Sequence, residues 1–256
     1  MEFAKRMDRF GEGIFSKLAE LKKEKISKGE EVIDLSIGAP NIPPAPHIRE
    51  ALCRGAAKPE NYVYAISDRK ELLEAAARWY ERRYNVKLDP GTEICSLLGS
   101  QEGLSHIAFT IADEGDVVLV PDPCYPVFGD GPQIAGASLY YMPQKKEHDY
   151  VIQLEEIPED VARKAKLMVV SYPNNPTAAM APDSFYEELI VFAKNIISLF
   201  FMITHIVSLC STEEPGAVFC GFPEQRRWEW NLTPSLNLWT GRCESRILPG
   251  QPGGSF

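Results

Sequence analysis

The sequence of 256 residues has no surplus of basic charge. Lys and Arg number 27 against 36 Asp and Glu, which gives a formal net charge of −9 at pH 7. Recognition of nucleic acids and anionic membrane surfaces needs clustered cations. The one dense basic run, Lys22–Lys25, is typical of the solvated face of a helix. We therefore expect neither a nucleic acid nor a membrane as partner.

Paired cysteines and an export signal are also missing. The six cysteines are scattered, none of them forms a CxxC motif, and no pair of histidines lies nearby. This spacing favours reduced thiols over a disulfide framework or a metal site. The first ten residues, MEFAKRMDRF, carry no apolar segment behind their charges. We therefore expect a cytoplasmic protein.

The last quarter of the sequence lacks two residue types altogether. Residues 1–194 contain 14 Lys and 11 Asp, whereas residues 195–256 contain none of either. At the earlier frequency, roughly eight such residues would occur there. We predict an N-terminal arm and helix over 1–35, part of a large domain over 36–194, and a poorly ordered tail over 195–256.

Before residue 194, the hydrophobic pattern alternates between strand and helix periods. Helical stretches are predicted near residues 101–112, 125–135 and 155–164. The four apolar runs of strand length around them are Ile94–Leu98, Val117–Val120, Ser138–Met142 and Leu167–Ser171. This rhythm predicts a three-layer α/β fold, in which helices cover both faces of a mostly parallel sheet.

Three elements are predicted nearer the N-terminus. Apolar residues at helical spacing from Ile14 to Leu21 indicate an amphipathic helix. The short apolar run Ile33–Ile37 is a candidate strand. Asp68 and Glu71 have the spacing of a capping box, which would open a helix that ends at about Arg83.

The first candidate binding segment is SLLGSQEG, residues 96–103, where a strand ends and a helix begins. The free amides around Gly99, Ser100 and Gln101 suit a phosphate dianion, because a helix N-terminus presents unpaired N–H groups. An ordinary N-cap serine is the alternative interpretation of this segment.

Two further segments follow strands. In PDPCYPVF, prolines flank Tyr125 at the strand end where open α/β sheets bind ligands, so its ring suits stacking on a planar heterocycle. In YPNNPTA, Asn175 lies before a proline and presents an amide that can donate to a phenolate oxygen. The alternatives are a packed tyrosine and a plain turn.

In this order and spacing, these segments resemble the class I and II aminotransferases of fold type I, which use pyridoxal 5′-phosphate. The branch that contains LL-diaminopimelate and aspartate aminotransferases is the most similar. The resemblance extends over about residues 1–194 and includes DLSIGAP, YAISDRKELLEAAARWY, SLLGSQEG, PDPCYPVF and YPNNPTA. It implies a truncated PLP-transferase large domain of the aspartate-aminotransferase type.

The resemblance also implies roles for single residues. Gly99, Ser100 and Gln101 would contact the cofactor phosphate, whereas Tyr125 would stack on its ring and Asn175 would bind its O3′ oxygen. The family uses these contacts to bind a cofactor that transfers an amino group between an amino acid and a 2-oxo acid.

Four further positions complete the comparison with the family. Gly38 would lie near the substrate carboxylate, and Tyr64 would reach the phosphate bound by a partner subunit, which implies a homodimer. Ala178 stands where the family usually has Gly, and Tyr172 where it often has Asn.

Transamination also needs a Lys that bonds covalently to the cofactor and an Asp that pairs with the pyridinium nitrogen. In the family both follow the NNPT turn, where this sequence has no Lys or Asp after Lys194. We therefore expect no activity, with at most weak, non-covalent binding of the cofactor. The sheet would also lose its remaining strands.

The genetic code indicates a cause for the absence of this Lys and this Asp. Codons for Phe201–Ile206, read one nucleotide earlier, permit His-Asp-Asn-Ala-Tyr with the Asp forced. Codons for Trp228–Asn237 in the same frame permit Gly-Val-Glu-Phe-Asn-Ser-Leu-Ser-Lys. Both are family motifs in the family's order, which leads to the hypothesis of a one-nucleotide frameshift near codon 194.

Two rival interpretations remain at this stage. The largely apolar segment Ile196–Cys210 would tether a non-enzymatic binding protein, although its 15 residues are fewer than the roughly 20 that span a bilayer. A nicotinamide-dependent dehydrogenase is a weaker rival, because no GxGxxG motif follows a predicted strand.

Overall fold

The computed structural model describes residues 2–35, 42–196, 199–203, 229–233 and 238–241. The chain divides into two compact units, residues 1–67 and 68–256. Within the described residues, no helix combines the length and the apolar character needed to cross a membrane.

The first unit contains two α-helices, α1 (Ile14–Ser27) and α2 (Pro46–Ala56). Pro46 starts α2 at a position where its missing N–H leaves no hydrogen bond unmade. None of the described side chains of this unit is buried. Residues 33–35 have no regular structure, so the strand predicted over Ile33–Ile37 is wrong for them, and positions 36 and 37 lie outside the described residues.

The second unit alternates helices and strands, as the hydrophobic pattern predicts. Its helices are α3 (Lys70–Tyr84), α4 (Ser100–Ile111), α5 (Val127–Ala135), α6 (Glu159–Lys164) and α7 (Asp183–Ile196). Its strands are β1 (Ile94–Ser96), β2 (Val117–Asp122), β3 (Ser138–Pro143), β4 (Ala165–Ser171), β5 (Leu199–Ile203), β6 (Glu229–Thr233) and β7 (Leu238–Gly241).

The strands form one seven-stranded sheet in the order β1-β7-β6-β5-β4-β2-β3. β7 is antiparallel to both of its neighbours, β1 and β6. The remaining neighbours pair in parallel. Because β1 and β6 both oppose β7, β1 runs in the same direction as the parallel strands. The carboxyl ends of β1, β2, β4, β5 and β6 therefore lie at one edge of the sheet.

The sheet continues beyond residue 194. β5 pairs with β4 in a regular register from Leu167 opposite Leu199 to Ser171 opposite Ile203. The expectation that the sheet loses its remaining strands is therefore wrong for the described segments. The run LFFMI has the aromatic and branched composition that suits a strand between two others, and backbone pairing needs no particular side chain.

Side chains of the central strands alternate between two buried faces. On one face, Met168 and Val170 pack with residues of α7 such as Leu189. On the other face, Leu167 and Val169 pack with residues of α4 and α5. Successive strand residues point to opposite faces, so burial on both sides confirms the three-layer α/β fold.

Helix α3 begins differently from the sequence prediction. Its N-cap is Arg69, and no side chain caps it, so the predicted capping box is wrong. The carboxylate of Asp68 instead accepts hydrogen bonds from Ser96 of β1, one from the backbone N–H at 3.0 Å and one from the hydroxyl. Asp68 thus anchors β1, an interaction 28 residues distant in sequence that no local pattern reveals.

Helices α4 and α5 approach closely at Gly131. A Cβ atom added there would lie 2.7 Å from the carbonyl oxygen of Ser105 and 2.8 Å from its Cα. Both contacts are with backbone atoms, which cannot rotate away. Gly131 therefore sets the distance between the two helices that follow β1 and β2.

Gly131→Ala should lower the free energy of unfolding by about 1–3 kcal/mol, because the extra methyl group forces the two helices apart. Urea denaturation of the purified chain measures this change. Gly55→Ala in α2 is the matched control, because a Cβ there meets only the Asn61 side chain at 3.9 Å. Equal effects of the two substitutions would contradict the close-packing interpretation.

Candidate functional site

Each of the three predicted binding segments follows a strand whose carboxyl end lies at the same edge of the sheet. β1 leads to Gly99, β2 leads to Tyr125 and β4 leads to Asn175. The common direction of these strands follows from their pairing. The structure thus puts the three segments on one side of the molecule, where open α/β sheets bind ligands.

The N-terminus of α4 offers unpaired amides. Gly99 precedes the helix with φ 134°, a conformation that favours glycine. The carboxylate of Glu102 accepts the Leu98 N–H at 2.8 Å, and the Glu102 N–H donates to the Gly99 carbonyl at 3.1 Å. The N–H groups of residues 99–101 have no partner among the described residues, so they remain available to an anion.

Helix α4 lies against β4, β6 and β7 as well as α5. It therefore crosses the sheet from β1 towards its centre. Helix α4 thus covers strands that lie between β1 and β4 in the strand order.

Tyr125 lies just after β2, at the start of α5. Its ring is half-buried and meets the ring of Phe128 edge-on, with centroids 6.0 Å apart. Tyr125 and Leu97 pack against the same core cluster, which connects the loop after β2 with the loop after β1. One face of a partly exposed ring held in this way is suited to stacking.

The turn after β4 is closed by two backbone hydrogen bonds. The Asn174 N–H donates to the Ala179 carbonyl at 2.9 Å, and the Ala178 N–H donates to the Asn174 carbonyl at 2.8 Å. Asn175 at its tip is exposed, so its amide faces solvent. Ala178 has φ 59°, which explains why glycine is usual at this position in the resembling family.

Sequence reasoning missed two residues of this edge. The Asn174 side chain is buried and donates to the Gln144 side chain at 2.8 Å, and it also lies 3.3 Å from the Pro123 carbonyl oxygen. The Gln144 side chain donates to the Tyr172 hydroxyl at 3.1 Å. Asn174 was discoverable from its place in the proline-flanked turn, whereas no local signal distinguishes Gln144.

The two other predicted site residues belong to the first unit. Tyr64 is 90% exposed there. Gly38 lies outside the described residues. The structure therefore does not test the substrate role of Gly38 or the intersubunit role of Tyr64.

Cys124 provides a thiol next to Tyr125. Burial, with smaller contributions from the nearby carboxylates of Asp122 and Asp130, raises the pKa of this thiol to about 12. The reactive form of cysteine is the thiolate. At neutral pH the thiol is therefore protonated and a poor nucleophile.

A model of the class I and II aminotransferase family matches residues 30–205, which include all three segments of the sheet edge. The chain belongs to this family. The resemblance to pyridoxal-phosphate aminotransferases is thereby confirmed. The matched residues of the aminotransferase chain extend past the boundary at residue 194 and into β5.

The relatives of this chain include LL-diaminopimelate aminotransferases. Those of Dehalococcoides mccartyi and Aquifex aeolicus are 43% and 42% identical over 194 residues, which is 75% of this chain and 50% of each relative. The chain therefore spans about half the length of the curated relatives that it matches.

Solved structures match over more of the chain. Substrate-bound BacF from Bacillus subtilis has a TM-score of 0.82 at 30% identity, with 94% of this chain and 64% of that one covered. A probable N-succinyldiaminopimelate aminotransferase from Thermus thermophilus has a TM-score of 0.82 at 29% identity, with 90% and 64% covered. Both shares of this chain exceed the 75% that the two LL-diaminopimelate aminotransferases match.

Ala178→Gly should raise the free energy of unfolding by about 1 kcal/mol, because glycine adopts the left-handed conformation without steric strain. Urea denaturation measures the change. Ala179→Gly is the control: its φ is not positive and its methyl group packs against the core, so stability should fall. A loss of stability in Ala178→Gly would contradict the strain at this turn.

Proposed function

We propose that this chain is the cofactor-binding part of the large domain of a pyridoxal-phosphate aminotransferase of the LL-diaminopimelate branch. The main support is that N–H groups suited to a phosphate, an aromatic ring and an asparagine amide follow strands that end at one edge of the sheet. The sequence identity of 40% or more to LL-diaminopimelate aminotransferases favours this branch.

The three segments fit the chemical groups of the cofactor. The unpaired amides of Gly99, Ser100 and Gln101 suit its phosphate, because they add their dipoles at a helix N-terminus. A Cβ built at Gly99 meets no atom within 4 Å among the described residues, so there is open space beside this residue. Tyr125 supplies a ring for stacking, and Asn175 supplies an exposed donor for O3′.

When bound, the cofactor supplies an electron sink that stabilises negative charge next to the substrate nitrogen. The chain's own residues hold and orient it through the phosphate amides, the Tyr125 ring and the Asn175 amide. Moving the substrate proton needs a base, which in the family is the Lys. Because residues 195–256 contain neither Lys nor Asp, we propose that this chain binds the cofactor without covalent attachment and without turnover.

The frameshift hypothesis accounts for the missing Lys and the missing Asp. If one nucleotide was lost near codon 194, the restored Asp takes the position of Ile203 and the restored Lys that of Asn237. Ile203 ends β5 and is in register with Ser171 at the carboxyl end of β4. Position 237 falls between β6 and β7 in the sequence. The restored Asp would therefore be placed at the edge that carries the other predicted residues.

Ser171 supports this placement. Its hydroxyl is buried and has no hydrogen-bond partner among the described residues. Buried hydroxyl groups in native proteins are rarely left unpaired. A carboxylate at the in-register position would supply an acceptor, so the orphaned hydroxyl is consistent with a polar residue having been replaced by Ile203.

We also propose that the frame-restored protein forms a homodimer through its N-terminal unit. Several apolar side chains of α1 and α2 are about half exposed or more, including Ile14, Phe15 and Leu52. A unit of this size without buried side chains among its described residues needs a partner surface. The predicted role of Tyr64 on a partner's cofactor depends on this assembly.

Pyridoxine 5′-phosphate tests the binding site of the chain as it exists, because this analogue has the phosphate, ring and O3′ but no aldehyde. The chain should bind it, and Tyr125→Ala should weaken binding about tenfold, whereas Tyr125→Phe retains the ring. Equilibrium fluorescence titration measures both affinities. With pyridoxal phosphate, borohydride should trap no stoichiometric adduct, and amino acids should not turn over. Measurable transamination would refute the proposed inactivity.

Sequencing of the source DNA around codon 194 tests the frameshift. The expected result is a missing nucleotide, and a gene corrected at this position should encode both restored residues and bind the cofactor covalently. An unbroken reading frame, together with an intact-protein mass that matches the 256-residue chain, would eliminate the hypothesis.

A further inference from the structure

We infer that Asn174 and Gln144 are positioning residues, which together set the place of the Asn175 turn relative to the Tyr125 loop. This inference rests on the proposed cofactor site and adds to it two residues with no predicted cofactor contact. The basis is a buried hydrogen-bond network that joins the carboxyl ends of β2, β3 and β4.

Asn174 is the centre of the network. Its side chain is 4% exposed, and its amide nitrogen lies 2.8 Å from Gln144 Oε1, 3.0 Å from Thr177 Oγ1 and 3.3 Å from the Pro123 carbonyl oxygen. These acceptors belong to three segments: the end of β3, the turn itself and the loop after β2. One amide therefore holds three chain segments together.

Gln144 connects the same strands from the other side. Its backbone N–H donates to the Asp122 carbonyl at 2.7 Å, and its side-chain nitrogen donates to the Tyr172 hydroxyl at 3.1 Å. Its side-chain oxygen accepts from Asn174. Both ends of the buried amide are thus used, and neither a carboxylate nor an apolar side chain provides the same donor and acceptor.

Tyr172 anchors the network in the core. Its hydroxyl accepts the Ile152 N–H at 2.8 Å and lies 3.3 Å from the Tyr150 carbonyl oxygen, to which it donates. Its ring meets Phe185 of α7 edge-on at 5.4 Å. Burial raises the pKa of this hydroxyl, so it stays protonated and able to donate across the physiological pH range.

The two side chains proposed to contact the cofactor make few interactions with the rest of the protein. No hydrogen bond to the Asn175 side chain occurs among the described residues, and the Tyr125 ring has only its packing contacts with Phe128 and the core. Asn175 directly follows Asn174, and Tyr125 lies two residues after Pro123. We therefore expect the hydrogen bonds of the Asn174 and Gln144 side chains to set the distance between Asn175 and Tyr125.

Gln144→Met is the principal test, since methionine has a similar length and no hydrogen-bonding amide. Affinity for pyridoxine 5′-phosphate should fall about tenfold, because the Asn175 turn loses its connection to β3. Asn174→Leu should weaken binding at least as much, and the double variant should be no worse than the stronger single one. Gln133→Met in the last turn of α5 is the matched control, since its side-chain nitrogen donates to the Gly129 carbonyl of the same helix at 3.4 Å.

Urea denaturation and amide hydrogen exchange distinguish positioning from general stability. Faster exchange of the Ala178 N–H in Gln144→Met, with unchanged exchange in β2, supports the inference. An unchanged affinity of a folded Gln144→Met chain overturns it. If the unsubstituted chain binds no ligand, the proposed cofactor site fails, and the exchange rate of Ala178 alone then decides: acceleration supports the positioning role, and no change overturns it.

Discussion

The common direction of the parallel strands is the constraint on which the site depends. β4 pairs with β2 on one side and with β5 on the other, and both pairings are parallel. Every strand in this series therefore ends at the same edge. A reversal of one strand would move its loop to the opposite edge and separate the tyrosine from the asparagine turn.

The edge presents its donors through the backbone rather than through cations. The amides at the start of α4 are unpaired because a helix cannot satisfy its own first turn. The carboxylate of Glu102 takes up the neighbouring Leu98 amide and leaves the next ones free. This arrangement suits a phosphate group that is held in place by dipoles, so the proposed anion site does not depend on clustered cations in a chain with a net charge of −9.

The tail, residues 195–256, meets the requirements for forming a sheet strand but not those for catalysis. β5 forms between β4 and β6 although the reading-frame hypothesis attributes its residues to out-of-frame translation. A central strand needs backbone donors, acceptors and apolar side chains, which LFFMI provides. Proton transfer and pairing with a ring nitrogen need a particular amine and a particular carboxylate, for which an apolar residue cannot substitute. The same segment can thus complete a sheet and still lack the residues that the proposed chemistry needs.

Much of the second unit was predictable because its signals are local. The period of apolar residues located β2, β3, β4 and α5 to within two residues at either end, whereas α6 begins four residues after its predicted start. The candidate positions 99–101, 125 and 175 were predicted from turn residues that follow strands, and the structure shows the three segments at one edge of the sheet. The strand at Ile33–Ile37 failed over its described residues because a short apolar run does not form a strand without a neighbour to pair with.

The sequence by itself determined the element types, the family and the absence of Lys and Asp from the tail, since each is carried by residue identity or local period. Only the tertiary structure decided the strand order, the anchoring of β1 by Asp68, and the Gln144–Asn174–Tyr172 network. The hydrogen bonds of Asp68 and of the network join residues 28 to 30 positions apart, and β1 pairs with β7 across more than 140 residues. Such partners are chosen by how the chain packs in space, and no pattern of neighbouring residues encodes that choice.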